Sequence, residues 1–178
     1  MQINRRRLCL FMAAWPQIAA ALQAARITAK ALPAEWRSLD AESARELNVL
    51  ASLIIPSDDG PGAREAGVIH FIDQSLATFA ADDLPRFQSG LAEVQRKREA
   101  LFAGSVSIAG LAEPQQMELM RAIEHTEFFD LLRTYTVFGY LGNPSYGGNR
   151  ERIGWEQIGF EHQMAYSHPF GYYDAENK

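Results

Sequence analysis

The chain has 178 residues, 47% of them apolar, with 13 glycines and 8 prolines; this suits one globular domain with its own core and excludes a fibrous or disordered chain. Its formal charge is -5, but residues 1–31 hold five cations and no acid, leaving 12 cations against 22 acids, a net of -10, for the remainder. So acidic a body excludes nucleic acid as a partner, because phosphate is repelled, and the single cysteine, Cys9, excludes an internal disulfide and any cysteine-based zinc or iron–sulfur site.

The first element is an address rather than a fold element. A basic cluster, Arg5-Arg6-Arg7, precedes an apolar stretch from Leu8 to Ala25, and Ala29-Lys30-Ala31 then offers a small-residue cleavage site. These are the three parts of a bacterial export signal. Arg5 and Arg6 followed by apolar Leu8 resemble the twin-arginine signal, with Asn4 and Leu8 departing from its usual residues; this reading implies the twin-arginine translocase as the route, an ordinary secretory signal being the alternative. Pro16 and Gln17 interrupt the stretch, so it falls short of the ~20 apolar residues that span a bilayer. The export signal is therefore set at residues 1–31, and a single domain at 32–178.

That domain reads as all-α, a small bundle of about five helices. Residues 41–55 place Leu47, Leu50, Ala51 and Ile54 on one helix face. Asp40 is the expected N-cap, and Pro56 ends the helix because the residue before proline disfavours helical angles. Ser57-Asp58-Asp59-Gly60-Pro61-Gly62 is a turn. The pattern predicts a second helix from Ala66 to Phe79, with Val68, Ile72, Leu76 and Phe79 inward. A third runs from Leu84 to Phe102 on Phe87, Leu91, Val94 and Leu101, with Arg96-Lys97-Arg98 on a solvated face. A fourth starts at Pro114 and buries Met117, Met120 and Ile123. A fifth carries Phe128, Leu131, Leu132, Tyr135 and Phe138 inward. From Gly139 onward the chain reads as an extended tail rich in glycine and aromatic residues.

No reaction centre is legible. His70, His125, His162 and His168 are scattered, and neither His-Glu-x-x-His nor Glu-x-x-His occurs. His125-Thr126-Glu127 resembles a deaminase motif but lacks the later cysteine pair. There is no Gly-x-Ser-x-Gly elbow, dinucleotide fingerprint, phosphate loop or haem-attachment motif. Asp58-Asp59-Gly60 lacks the rest of a calcium loop and reads as a plain turn. Neither a cofactor nor a metal is expected on this chain.

Two segments carry a resemblance. One is the run from Leu47 to Asp73 containing Pro56-Ser-Asp58-Asp59-Gly60-Pro61-Gly62-Ala-Arg-Glu-Ala-Gly67-Val68. The other is Phe128-Phe-Asp-Leu-Leu-Arg-Thr, then Gly142-Asn-Pro-Ser-Tyr146-Gly147-Gly148-Asn149, then Gly154-Trp155 and Ile158-Gly159-Phe160. Their ordered combination resembles the gluconate 2-dehydrogenase subunit 3 family, over roughly residues 40–160. The resemblance implies a non-catalytic small, or gamma, subunit of a periplasmic sugar or gluconate dehydrogenase held at the inner membrane. FAD would sit in a large subunit of the glucose–methanol–choline oxidoreductase type, and haem c in a multihaem cytochrome subunit. The small subunit would bind, stabilise and co-export the flavoprotein. Two other readings stay open: a periplasmic structural or binding protein with another partner, and a free-standing enzyme with a carboxylate or tyrosine site.

The motif residues divide by physical role. Pro56, Asp58, Asp59, Gly60, Pro61, Gly62 and Gly67 read as a rigid connector between two helices. Tyr146, Gly147, Gly148, Asn149, Trp155 and Phe160 are the candidate partner-binding residues, since loop aromatics either cover their own helices or anchor a partner. On the second reading, losing Trp155 or Tyr146 weakens the complex more than it unfolds the free domain.

Overall fold

The computed structural model describes residues 36–163. The export-signal residues Arg5, Arg6, Leu8, Ala29 and Ala31 lie outside them, as does the end of the aromatic tail from residue 164. The described residues form six α-helices and three short 3-10 turns, with no strand among them. The helices are α1 (Ala41–Ile54), α2 (Val68–Leu76), α3 (Leu84–Leu101), α4 (Glu113–Ile123), α5 (Glu127–Leu141) and α6 (Ile153–Gln157). The all-α expectation holds.

α1 begins where Asp40 accepts the backbone N–H groups of Glu42 (2.9 Å) and Ser43 (2.8 Å), two donors that the first turn cannot pair internally. Of the face that the spacing predicts, Leu47, Leu50 and Ala51 are buried and Ile54 is half-buried, and Ala44 joins them in the core. α5 is the central element. It packs against α2, α1 and α3, with Phe128, Leu132 and Tyr135 in the core. Gly139 permits the closest approach to α2, because a Cβ there would lie about 3.0–3.1 Å from Phe71 and Val68. α4 closes the other side against α3 and α1, burying Leu119, Met120 and Ile123.

The structure corrects several expectations. α2 is shorter than 66–79. Gly67 stands at φ 67, a left-handed conformation that cannot belong to a right-handed helix, so the helix starts one residue later. It ends at Leu76, and the following turn swings Phe79 outward to 67% exposure. Leu101, Met117 and Phe138 are also exposed, not inward. Leu119 fills the place expected of Met117.

Arg98 does not lie on a solvated face. Its side chain is 11% exposed and donates to the carbonyl and hydroxyl of Ser105. Among the described residues, the stretch after Gly139 is largely folded rather than extended. α5 continues to Leu141, and residues 142–160 fold back as two 3-10 turns and α6.

Two buried acids tie distant segments together. Glu46 of α1 accepts the N–H of Ile108 (2.8 Å), pinning the α3–α4 loop. Burial pushes its carboxyl above the ordinary range, opposed by the Ile108 N–H and the charge of Arg98. Asp73 of α2 gathers the N–H groups of Arg37 (2.9 Å), Ser38 (2.9 Å) and Leu39 (3.0 Å). Burial acts to raise its pKa, but these donors and the Ser38 hydroxyl prevail and hold it below the ordinary value. The chain therefore enters the domain clamped to the middle of α2. Next to the clamp, Trp36 stacks on His70, with ring centroids 5.2 Å apart.

Candidate functional site

The connector between α1 and α2 is a compact turn. Ala63 donates to the carbonyl of Ile55 (2.9 Å), closing the segment that Pro56 begins. Glu65 accepts from the N–H of Gly62 (2.9 Å) and from the Ser57 hydroxyl. Gly62 is packed against the Ile55 and Pro56 backbone, while Asp58 and Asp59 face solvent. Asp58 caps only the N–H of Asp59 (2.7 Å).

The loop after α5 packs onto this turn. Asn149 is fully buried and occupies a left-handed conformation. Its N–H donates to Gly139 (2.8 Å), its side-chain amide donates to Gly142 (2.9 Å), and its side-chain oxygen accepts from Gly154 (2.9 Å). Gly148 lies directly against the Gly139 carbonyl, where a Cβ would collide with backbone. Gly147 sits over the carbonyl of His70.

The two motifs then meet. Arg150 donates its N–H to Ala66 (3.0 Å) and lays its side chain over Gly67. The Tyr140 hydroxyl lies 2.7 Å from the Pro61 carbonyl and 2.9 Å from Gln157 Oε1, and the Gln157 side chain packs on Gly60. His70, near this junction, is held below its ordinary pKa by burial and by the charge of Arg150, against the opposing pull of Asp73. Glu151 and Arg152 follow Asn149 into left-handed geometry, at φ 58 and 63.

The aromatic candidates separate. Trp155 is 7% exposed, and its indole N–H donates to the Leu141 carbonyl (2.6 Å). Phe160 covers it edge-on at 5.1 Å, itself 41% exposed. Tyr146 is 49% exposed and meets Phe79 edge-on at 6.1 Å. Trp155 is thus an internal prop for α5, and Tyr146 belongs to the surface.

Tyr146 forms one wall of an apolar groove of about 750 Å³, lined by Phe71, Phe79, Val137, Phe138, Leu141 and Tyr146. Phe79, Val137, Phe138 and Tyr146 are all exposed. Apolar side chains gathered on one face of a soluble domain mark an interaction surface. The sequence reading missed this face by turning Phe79 and Phe138 inward. A signal was present: Val137, Phe138 and Leu141 lie off the stripe of Phe128, Leu132 and Tyr135, so α5 is apolar on more than one side.

Among the described residues, no three histidine, cysteine, aspartate or glutamate side chains converge to hold a metal ion. No helix among them is long and apolar enough to cross a membrane.

No curated protein and no solved structure matches the chain. The family model described as gluconate 2-dehydrogenase subunit 3 matches residues 41–161, a span that holds α1 to α6, the α1–α2 turn, the Asn149 loop and every residue lining the groove. The chain belongs to the gluconate 2-dehydrogenase subunit 3 family.

Proposed function

We propose that this chain is the non-catalytic small subunit of a periplasmic FAD-dependent sugar or gluconate dehydrogenase, and that it docks its flavoprotein large subunit through the groove between α2, α5 and Tyr146. The observation that carries this reading is the groove itself. Phe79, Val137, Phe138 and Tyr146 expose apolar surface on one side of a family member whose described helices bury a core of their own. Burying such rings against a partner is favourable at about 25 cal/mol per Å² removed from water.

The occupant is a large subunit of the glucose–methanol–choline oxidoreductase type, which holds FAD. A multihaem cytochrome c subunit receives its electrons and keeps the complex at the inner membrane. This chain supplies folding support and, through Arg5, Arg6 and Leu8, passage for both proteins by the twin-arginine translocase, with release after Ala29-Lys30-Ala31. Residues 32–178 act as one domain whose tail also reaches the partner.

Co-expression tests the reading. The flavoprotein should co-purify with this chain and reach the periplasm, and Arg5→Lys with Arg6→Lys should strand both in the cytoplasm. Flavoprotein that folds, loads FAD and is exported without this chain would refute it.

A further inference from the structure

One face of α5 is left uncovered among the described residues. The buried side, Phe128, Leu132, Tyr135 and Gly139, belongs to the packing with α1, α2 and α3. On the opposite side Thr134, Val137 and Phe138 are exposed and Leu141 is half-buried. These four stand at i, i+3, i+4 and i+7, the spacing of a ridge that packs against another helix. A second hollow, lined by Arg133, Thr134, Val137 and Phe138, shares its last two residues with the groove and prolongs it along α5. From Arg133 to Leu141 the strip runs about 12 Å, at about 1.5 Å per residue.

The polar groups around the groove decide what fills it. No residue lining it is charged. Where α5 ends, the backbone is already engaged. The N–H of Gly142 donates to Phe138 (2.7 Å), and the carbonyls of Leu141, Gly142 and Asn143 accept from Trp155 (2.6 Å), Asn149 (2.9 Å) and Tyr146 (3.0 Å). The side-chain oxygen of Asn143 accepts from the N–H of Ser145 (3.0 Å). An extended segment pressed into the groove would bury N–H and C=O groups that find few partners there. Nor do the described residues offer a strand edge for it to lengthen. A helix pairs its own backbone. A charge on its contact face would lose water and meet no opposite charge in the groove.

We propose that the occupant of the groove is an amphipathic helix of the flavoprotein, apolar and uncharged over the two turns that lie along α5 from Thr134 to Leu141. The proposal rests on the reading of the groove as the docking face. The small subunit is then a bundle with one helix position left for its partner, whose apolar side chains pack between Phe79, Phe138 and Tyr146.

The purified complex tests this. Phe138→p-benzoylphenylalanine in the full-length small subunit places a photoprobe on the groove, and peptide mapping after illumination identifies the flavoprotein segment that it captures. Thr134→p-benzoylphenylalanine, which leaves the rings of the groove in place, should capture the same segment. Aspartate is then introduced at each position of that segment in turn, in the intact flavoprotein, and variants that keep FAD are compared. Affinity should fall at least tenfold at apolar positions spaced i, i+3, i+4 and i+7 and change less than twofold at the positions between. Losses at every second position would overturn the helix in favour of an extended segment and leave the docking reading intact. Native charged residues at the sensitive positions would likewise overturn the uncharged face alone. A complex that forms while neither probe captures the flavoprotein would overturn the docking reading and this proposal together. A product between two small subunits, rising with concentration, would put a second copy in the groove instead.

Discussion

Arg150 donates its backbone N–H to the carbonyl of Ala66 at 3.0 Å, joining the loop after α5 to the turn before α2. Each segment carries a backbone group that the other satisfies. The joined pair braces α2 against α5, and those two helices, with the turn after α2, hold Phe71, Phe79, Phe138 and Leu141 in the geometry of the groove.

Fold support and docking should separate at two neighbouring aromatics. Trp155→Ala should destabilise the free subunit by about 3–5 kcal/mol, the usual cost of emptying a buried aromatic site. Tyr146→Ala, at a half-exposed ring, should change stability by about 0.5 kcal/mol or less while weakening flavoprotein binding. Thermal unfolding of the two variants decides the matter; equal losses would mean that Tyr146 is part of the core.

On the groove, Phe138→Asp should leave the unfolding midpoint of the free subunit near that of the parent and reduce flavoprotein affinity by at least tenfold, about 1.4 kcal/mol. Biolayer interferometry with immobilised flavoprotein measures this. Undiminished affinity would place the contact elsewhere on the domain.

Asp73 gives the protein an acid-sensitive anchor. Its folded-state pKa lies below the ordinary value of 3.8, so the stability it contributes is present above that value and is lost as pH falls through the folded one. Asp73→Asn keeps one acceptor but sets an amide against the converging N–H donors of Arg37, Ser38 and Leu39. The variant should be about 1–3 kcal/mol less stable at neutral pH and should lose this part of the acid transition. Urea midpoints from pH 7 down to pH 3 report both effects.

Glu46 works with the opposite sign. Its pKa is raised in the folded state, so stability falls as pH climbs from the ordinary 4.5 through the raised value and then levels off. Glu46→Gln preserves an oxygen for the Ile108 N–H and cannot titrate. The downward contribution should therefore be missing from its urea midpoints across that window, read as a difference between parent and variant that changes with pH. A difference between parent and variant that stays constant with pH would assign the effect to another group.

Legibility in the sequence followed the range of the interaction. Asp40, Pro56 and the apolar spacing of α1 are local signals, and each gave the right element. Phe79 and Phe138 were misread because a periodic face was extended past the point where its neighbours cover it. Whether a position is covered depends on the packing partner, not on the helix's own phase. Glu46 and Asp73 left no trace, since their partners lie 62 and 34–36 residues away. The glycine and aromatic motif was visible, but not that Trp155 props α5 from within while Tyr146 faces outward.

The left-handed bend at Asn149, Glu151 and Arg152 has a consequence for the order of assembly. Asn tolerates that twist, but Glu151 and Arg152 resist it by about 1–2 kcal/mol per residue, which makes the bend a poor starting point for folding. It forms only once the end of α5 offers the Gly139 and Gly142 carbonyls to Asn149. The junction is therefore a latch that shuts last, and Asn149→Ala should hasten unfolding while leaving the refolding rate almost untouched, as stopped-flow kinetics will show.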